Sequence, residues 1–160
     1  MEHTRQAILP DPNQKTIEYG SKRIGNADFS TSSHCVHRLI YHLVFVTKFR
    51  RHVFTPSRLN YLLALFPRIC SHYQYRLIEV NGESDHIHLL IECPPTASLS
   101  SVVGRLKHIS AKFFLKRYGA QCWGNHRHTL WNAGYFVAST GGVTLEILKK
   151  YVENQGQSRS

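Results

Sequence analysis

One eight-residue run near the middle of the chain, Asp85 to Glu92, constrains the fold more than any other segment. Three apolar residues stand at alternate positions of this run: Ile87 lies between His86 and His88, and Leu89 and Ile91 follow them. Because successive side chains of a strand point to opposite faces, this alternation predicts a β-strand with one face in a core. The preceding Asn81-Gly82 pair predicts a hairpin turn that leads into the strand.

The two histidines of this strand are predicted to share its other face. Two imidazoles on neighbouring same-face positions can ligate one divalent metal ion, and two ligands are too few for a closed structural zinc site. Such a site would keep open positions for a substrate. The alternative is a pair of polar side chains on a solvated sheet face, and in a chain with 11 histidines the pair alone does not decide between the two.

The rest of the chain is predicted to form strands and helices in a definite order. The period of the apolar residues distinguishes strands from helices. Thr55-Pro56 predicts the start of the first helix, Pro67 predicts a bend within it, and Gly119 predicts the end of the second helix. The elements are a strand at 39–47, a helix from Thr55-Pro56, a strand at 75–80, the histidine strand at 85–92, a helix at 98–118, a strand at 130–139, and, beyond Gly141-Gly142, a helix that ends near Gly156.

This β-α-β-β-α-β order predicts an α+β protein with a ferredoxin-like split βαβ antiparallel sheet. Two helices are expected on one face of the sheet and the histidine pair on the other, with an additional C-terminal helix. Residues 1–33 are polar, contain Pro and Gly and show no sustained period, so they are predicted to be a flexible N-terminal arm. A single domain is expected over residues 34–157, since 160 residues with 42% hydrophobic content suit one packed core.

The charge of the chain indicates a polyanionic partner. Its 20 Lys and Arg exceed its 10 Asp and Glu, giving a formal charge of +10, and nucleic acid is the leading candidate. Basic residues follow the first strand and form a stripe on the second helix, although a solvated surface is an equal alternative for the stripe. The candidate contacts are Lys48, Arg50, Arg51, Arg105, His108 and Lys112.

No run of about 18 apolar residues and no signal-peptide core is found, which predicts a cytoplasmic protein without a membrane span. The four cysteines, Cys35, Cys70, Cys93 and Cys122, form no CxxC pair. They are therefore expected to be reduced thiols rather than a disulfide framework or a zinc ribbon.

The last predicted helix carries a second candidate for chemistry. Tyr151 and Gln155 are four residues apart and so share one helical face, from which both can reach a metal centre on a neighbouring sheet. A tyrosine hydroxyl has a pKa of about 10 and needs a nearby cation or base to act as a nucleophile. The alternative is a tyrosine packed at the helix edge beside a solvated glutamine. Tyr135 is the main rival tyrosine, but its strand position favours packing or base stacking.

Taken together, these motifs resemble the single-tyrosine HUH transposases of bacterial and archaeal insertion sequences. The resemblance covers about residues 33–157 and rests on YHLVFVTKFRRHVF at the first strand, DHIHLLI, the helix with Lys107 and Ser110, LWNAGYFVAST, and the final YVENQ. Two departures concern positions where many relatives have proline: Ser84 before the Asp-His pair, and Ala133-Gly134 in place of Pro-Ser. Neither removes a catalytic group.

The resemblance implies a small homodimeric enzyme that cuts and rejoins single-stranded DNA with hairpins at element ends. It implies a covalent 5′-phosphotyrosine on Tyr151, without ATP, and a Mg²⁺ or Mn²⁺ ion held by His86, His88 and Gln155. Lys107 joins the candidate DNA contacts, and the protein would be nucleoid-associated when acting.

Three alternatives to a mobile-element transposase stay open. A domesticated relative that processes palindromes, or a replication initiator or relaxase of the same superfamily, would share the chemistry. A non-catalytic ferredoxin-like module would instead bind nucleic acid by stacking bases on sheet aromatics.

Overall fold

The computed structural model describes residues 20–24, 27–32, 34–123, 129–139 and 152–154. Within them the elements are β1 (Gly20–Ile24), β2 (Ala27–Ser32), β3 (Cys35–His37), β4 (Ile40–Val46), a 3₁₀ turn (Lys48–Arg50), α1 (Pro56–His72), β5 (Arg76–Gly82), β6 (His86–Glu92), α2 (Leu99–Trp123) and β7 (Phe136–Ser139). Residues 152–154 are helical.

The predicted ferredoxin-like topology is confirmed. Strands β4 to β7 form one antiparallel sheet of order β5-β6-β4-β7, so the histidine strand β6 lies in the interior of the sheet. Helices α1 and α2 follow β4 and β6, which is the split βαβ arrangement. Antiparallel sheets of this kind can cover one face with helices and leave the other available for function.

The core lies between the sheet and the two helices. Strand residues from alternate positions, together with the apolar faces of α1 and α2, form one buried cluster that includes Leu43, Phe45, Leu62, Phe66, Ile87, Leu89, Ile91, Val102, Leu106 and Phe114. Both helices therefore cover the same face, as predicted. Helix α1 starts at Pro56 and continues through Pro67 without being split. At the start of α2 the Ser101 N–H donates to Ser98 Oγ over 3.2 Å, which is a side-chain N-cap.

The hairpin turn between β5 and β6 lies later than predicted. Asn81 and Gly82 are still paired, with His88 and Ile87 respectively, and Glu83 N–H donates to His86 O over 2.9 Å. Gly82 is needed for close approach rather than for turning: a Cβ there would lie 2.8 Å from both His86 O and Ile87 Cγ2. The Asn-Gly signal indicated a glycine requirement but not its reason.

Two further boundaries differ from prediction. Gly119 does not end α2 but lies buried within it, and the helix continues to Trp123, because a buried glycine can serve packing inside a helix as well as a C-cap. The strand predicted over 130–139 is interrupted: Trp131 makes an isolated bridge to Thr47, and regular pairing resumes only at Phe136. Between them Asn132 N–H still donates to Val46 O over 2.8 Å, and Lys107 Nζ donates to Asn132 O over 2.6 Å.

The N-terminal arm is more structured than predicted. Residues 20–24 and 27–32 form β1 and β2, which pair with β3 in a three-stranded antiparallel sheet of order β1-β2-β3. These strands are short and lack clear apolar alternation, so their backbone pairing left little trace in the residue pattern. Residues 1–19 of the predicted arm lie outside the described residues.

Candidate active site

The candidate site lies on the sheet face opposite the helices. His86 and His88 are half-buried, whereas Ile87, Leu89 and Ile91 between and beyond them are fully buried in the core. The neighbouring strand β4 places Val46 opposite His86 and Val44 opposite His88. Directly paired residues share a face, so the two valines flank the histidine pair. The predicted common face of the two imidazoles is confirmed.

His86 is oriented by the carboxylate next to it in sequence. Its Nδ1 lies 2.8 Å from Asp85 Oδ1, and Arg50 Nε donates to Asp85 Oδ2 over 2.8 Å. Burial alone would raise the pKa of Asp85, but the hydrogen bonds and charges of His86 and Arg50 outweigh it and hold the pKa below its ordinary value. An ionised Asp85 can only accept, so His86 Nδ1 donates to it, and in the neutral ring Nε2 is then the nitrogen with the free lone pair.

His88 is held in the neutral form by its surroundings. Burial lowers its pKa, His86 and His42 act in the same direction, and Glu79 and Glu83 oppose them. The net shift is downward, so the ring is uncharged near neutral pH. Neutral imidazoles are metal ligands, so His88 has the form that a divalent ion requires, and the hydrogen bond at Nδ1 of His86 leaves Nε2 as its ligating nitrogen.

The turn after β4 delivers Arg50 to this carboxylate. Thr47 N–H donates to Asp85 O over 2.9 Å, and the Thr47 hydroxyl lies within hydrogen-bond distance of the carbonyl oxygens of Arg51 and Asp85. Phe49 and Arg50 both have left-handed backbone conformations, with φ of 60° and 52°. Two consecutive non-glycine residues in this region are strained, and such strain persists where surrounding contacts fix the conformation.

A helical segment from the end of the chain packs over the same sheet face. Val152 is buried against Val44 and Val46, with the partly buried Phe136 beside them. Arg50 Nη1 lies 3.5 Å from Glu153 O, so the arginine that binds Asp85 also reaches this segment. The predicted nucleophile Tyr151 and the predicted third ligand Gln155 lie outside the described residues.

The described residues meet part of the donor requirement of a metal site. No group of three or more His, Cys, Asp or Glu side chains suited to a metal ion occurs in the described part of the chain. His86 and His88 supply two imidazoles, one of them already oriented by a carboxylate in the manner of a metal-bound histidine. The pair thus fits a divalent ion that takes its remaining ligands from elsewhere.

The residues predicted to contact DNA differ in their structural roles. Arg50 binds Asp85, Arg105 Nη1 donates to the Tyr75 hydroxyl over 2.9 Å, and Lys107 Nζ donates to the carbonyls of residues 132–134. Burial lowers the pKa of Lys107. The other four candidates are exposed or half-buried: Lys48, Arg51, His108 and Lys112.

Sequence reasoning did not assign roles to Asp85 and Thr47. Asp85 directly precedes His86 in the sequence, and a carboxylate beside a candidate metal-binding histidine indicates a residue that orients it. Thr47 acts through its contacts with Asp85, a distant part of the chain, and no local pattern reports those.

Comparison with solved structures assigns this architecture to a class of protein. A protein of Deinococcus radiodurans assigned as a transposase, whose crystal structure is known at 1.90 Å, is similar with a TM-score of 0.71 and 25% identity, covering 79% of this chain and 97% of that chain. The fold is therefore a transposase fold.

The sequence comparisons define the family. The family model described as transposase, IS200 like, matches residues 35–155. The chain belongs to this IS200-like transposase family, whose members are DNA-processing enzymes of transposition. It is 31% identical over 115 residues to the transposase for insertion sequence element IS200 of Salmonella typhimurium, covering 72% of this chain and 75% of that protein. It is 28% identical over 123 residues to the ISDra2 transposase TnpA of Deinococcus radiodurans, covering 75% and 86%.

No helix in the described ranges is both long and apolar enough to cross a membrane.

Proposed function

We propose that this transposase cleaves and rejoins single-stranded DNA at the ends of an insertion sequence, through a covalent 5′-phosphotyrosine on Tyr151. The observation that carries the proposal is the packing of Val152 against Val44 and Val46, on the sheet face of His86 and His88. Tyr151 directly precedes Val152 in the sequence. The residue next to the proposed nucleophile is therefore buried on the sheet face that carries both histidines.

The proposed cleavage step is an exchange of one phosphate ester for another. The Tyr151 phenolic oxygen attacks the scissile phosphorus and forms a P–O bond, the bond from phosphorus to the 3′ oxygen breaks, and the phenolic proton is balanced by the proton that the 3′ oxygen gains. The products are a 5′-phosphotyrosine and a free 3′-OH. A 3′-OH can reverse the step by attacking the phosphotyrosine, so rejoining needs no nucleotide hydrolysis.

His86, His88 and Gln155 are the proposed ligands of a Mg²⁺ or Mn²⁺ ion. When bound, such an ion polarises a scissile phosphate and offsets the charge that develops on its oxygens. The chain itself prepares the two imidazoles: Asp85 holds the proton of His86 on Nδ1, and burial keeps His88 neutral. His88 can thus bind an ion without losing a proton, and the ligating nitrogen of His86 is Nε2.

The proposed substrate is single-stranded DNA with hairpins at the element ends, bound by a homodimer. The net charge of +10 supports a polyanionic substrate, since phosphate neutralisation supplies most of the affinity for a nucleic-acid backbone. Lys48 and Arg51 belong to the turn that delivers Arg50 to Asp85, so two further cations lie in the segment that contacts the residue next to His86. We further propose that the enzyme acts in the cytoplasm, at the nucleoid.

The test is adduct formation by the full chain. Single-stranded oligonucleotides from both strands of the regions flanking the coding sequence are incubated with the protein and Mg²⁺ or Mn²⁺, and a denaturation-resistant protein–DNA adduct is sought on a denaturing gel. We expect an adduct with one strand at each end, and we expect Tyr151→Phe, His86→Ala or EDTA to abolish it.

Tyr135→Phe is the matched control for the nucleophile. Tyr135 is 37% exposed and is the main rival tyrosine, so the same single-atom deletion there should leave the adduct intact. An adduct that survives Tyr151→Phe refutes the assignment of the nucleophile. If no strand from either flank gives an adduct while the protein still binds those strands, the chain is a non-catalytic nucleic-acid-binding module.

A further inference from the structure

We propose that Arg50 is a positioning residue that couples the docking of the C-terminal helical segment to the orientation of His86. The inference rests on the proposed function, because it links residues 152–154, directly after the proposed nucleophile, to the proposed metal ligand His86. The sequence had indicated only a DNA contact for Arg50.

The guanidinium of Arg50 lies between two distant parts of the chain. Its Nε donates to Asp85 Oδ2 over 2.8 Å, and its Nη1 lies 3.5 Å from the backbone carbonyl of Glu153. The other carboxylate oxygen of Asp85, Oδ1, lies 2.8 Å from His86 Nδ1. A continuous series of polar contacts therefore leads from the helical segment through Arg50 and Asp85 to the imidazole ring.

Each end of this series is supported by neighbouring contacts. At the sheet end, Thr47 binds the backbone of Asp85 with both its N–H and its hydroxyl. At the other end, Val152 is buried against Val44 and Val46. The Arg50 side chain is 32% exposed and Asp85 only 4%, so the carboxylate depends on Arg50 and His86 for its partners. Removing one partner of a buried charge leaves that charge poorly compensated.

The backbone conformation of the turn also indicates that Arg50 is held in a fixed position. Phe49 and Arg50 occupy left-handed conformations in succession, at φ of 60° and 52°. Such conformations are costly for non-glycine residues and tend to occur at functional sites, where surrounding contacts maintain them. A surface cation whose only contacts were with DNA phosphates would not require these backbone conformations.

The geometry also requires arginine rather than any cation. Nε and Nη1 of one planar group point in different directions, so a single guanidinium can donate to Asp85 and reach the Glu153 carbonyl together. The single ammonium of a lysine can stay near Asp85 but cannot occupy both donor positions. Arg50→Lys thus separates the charge of the residue from its bridging geometry.

Two measurements without DNA test the coupling in the full chain. Hydrogen–deuterium exchange of the C-terminal peptide containing 152–154 reports docking, and Mn²⁺ titration followed by the EPR signal of the free ion reports the metal site. For Arg50→Ala we expect exchange about threefold to tenfold faster, the effect of losing one hydrogen bond of ordinary strength. We expect Mn²⁺ affinity about tenfold lower, the lower end of the range for residues that support metal ligands.

The neighbouring substitution and the conservative one serve as controls. Arg51→Ala removes the same charge from the same turn without touching Asp85, so both readouts should match the wild type. Arg50→Lys should exchange as fast as Arg50→Ala but bind Mn²⁺ more tightly than it, because the charge beside Asp85 is kept. Thermal unfolding of each variant checks that the fold is intact, and if Arg50→Ala does not fold, the exchange rate of Arg50→Lys decides.

Three results would overturn the inference. They are an exchange rate for Arg50→Lys equal to that of the wild type, equal behaviour of Arg50→Ala and Arg51→Ala in both readouts, and wild-type protein that binds no Mn²⁺. Neither readout uses DNA or Tyr151, so a failure here with an intact Tyr151-dependent adduct rejects the coupling and leaves the proposed nucleophile standing. If the adduct is absent but the exchange rates are as expected, the proposed nucleophile is rejected and the coupling stands.

Discussion

Replacing Gly82 with alanine tests whether close packing of β5 on β6 supports the histidine strand. A Cβ at this position would lie 2.8 Å from His86 O, 2.8 Å from Ile87 Cγ2 and 3.1 Å from Leu59 Cδ1, all below the 3.4 Å at which ordinary contact begins. The first of these atoms is backbone, and the second belongs to a fully buried side chain. Neither can move without disturbing the sheet or the core.

The magnitude follows from these contacts. Overpacking of a close-packed site costs about 1–3 kcal/mol, and the backbone entropy that alanine saves offsets about 0.5–1 kcal/mol of it. With two contacts at 2.8 Å, we expect the upper part of the range and a net loss of about 2 kcal/mol. For a chain of this size that lowers Tm by about 4–8 °C.

The assay is thermal unfolding of Gly82→Ala beside Gly104→Ala. Gly104 lies exposed within α2, and a Cβ there would meet nothing within 4 Å. Alanine should therefore stabilise the helix by about 0.5–1 kcal/mol and raise Tm. Because the Gly82 clash is with the His86 carbonyl, adduct yield should fall for Gly82→Ala alone. A Tm for Gly82→Ala equal to or above the wild-type value would refute this reasoning.

Two further substitutions test buried polar contacts. The depressed pKa of Asp85 means that its ionised form stabilises the fold at pH values above the unfolded pKa of about 3.9, and that this contribution is lost as pH falls through the lower folded value. The Tm difference between the wild type and Asp85→Asn should thus be constant from pH 7 to about 5 and shrink by pH 3; a constant difference at pH 3 contradicts it. Ser110→Ala removes the acceptor of the buried Trp131 Nε1–H, 3.1 Å away, and should cost about 1–3 kcal/mol in urea unfolding. The exposed Ser100→Ala should stay within about 0.5 kcal/mol, and equal midpoints for the two serine variants would show that the tryptophan N–H does not need this partner.

The parts of the fold that the sequence predicted well are those with a strong local period. Strand β6 alternates in burial from His86 to Ile91 and α1 shows a clear apolar face, so their type and approximate bounds were correct. The errors lie where tertiary contacts override a local signal: Gly82 supports close approach instead of a turn, and Gly119 is buried within a helix instead of ending it. Short polar strands such as β1 and β2 carry little periodicity, and they were missed.

The sequence by itself determined the ferredoxin-like order of elements, the common face of His86 and His88, and the basic character of the chain. These follow from periodicity and residue chemistry, which are local properties. Only the tertiary structure decided how that site is supported. Arg50 meets Asp85 across 35 residues and the Glu153 carbonyl across 103, and Val152 packs on two valines of β4. Contacts at such separations depend on how the sheet and the chain end come together, and no local pattern encodes that.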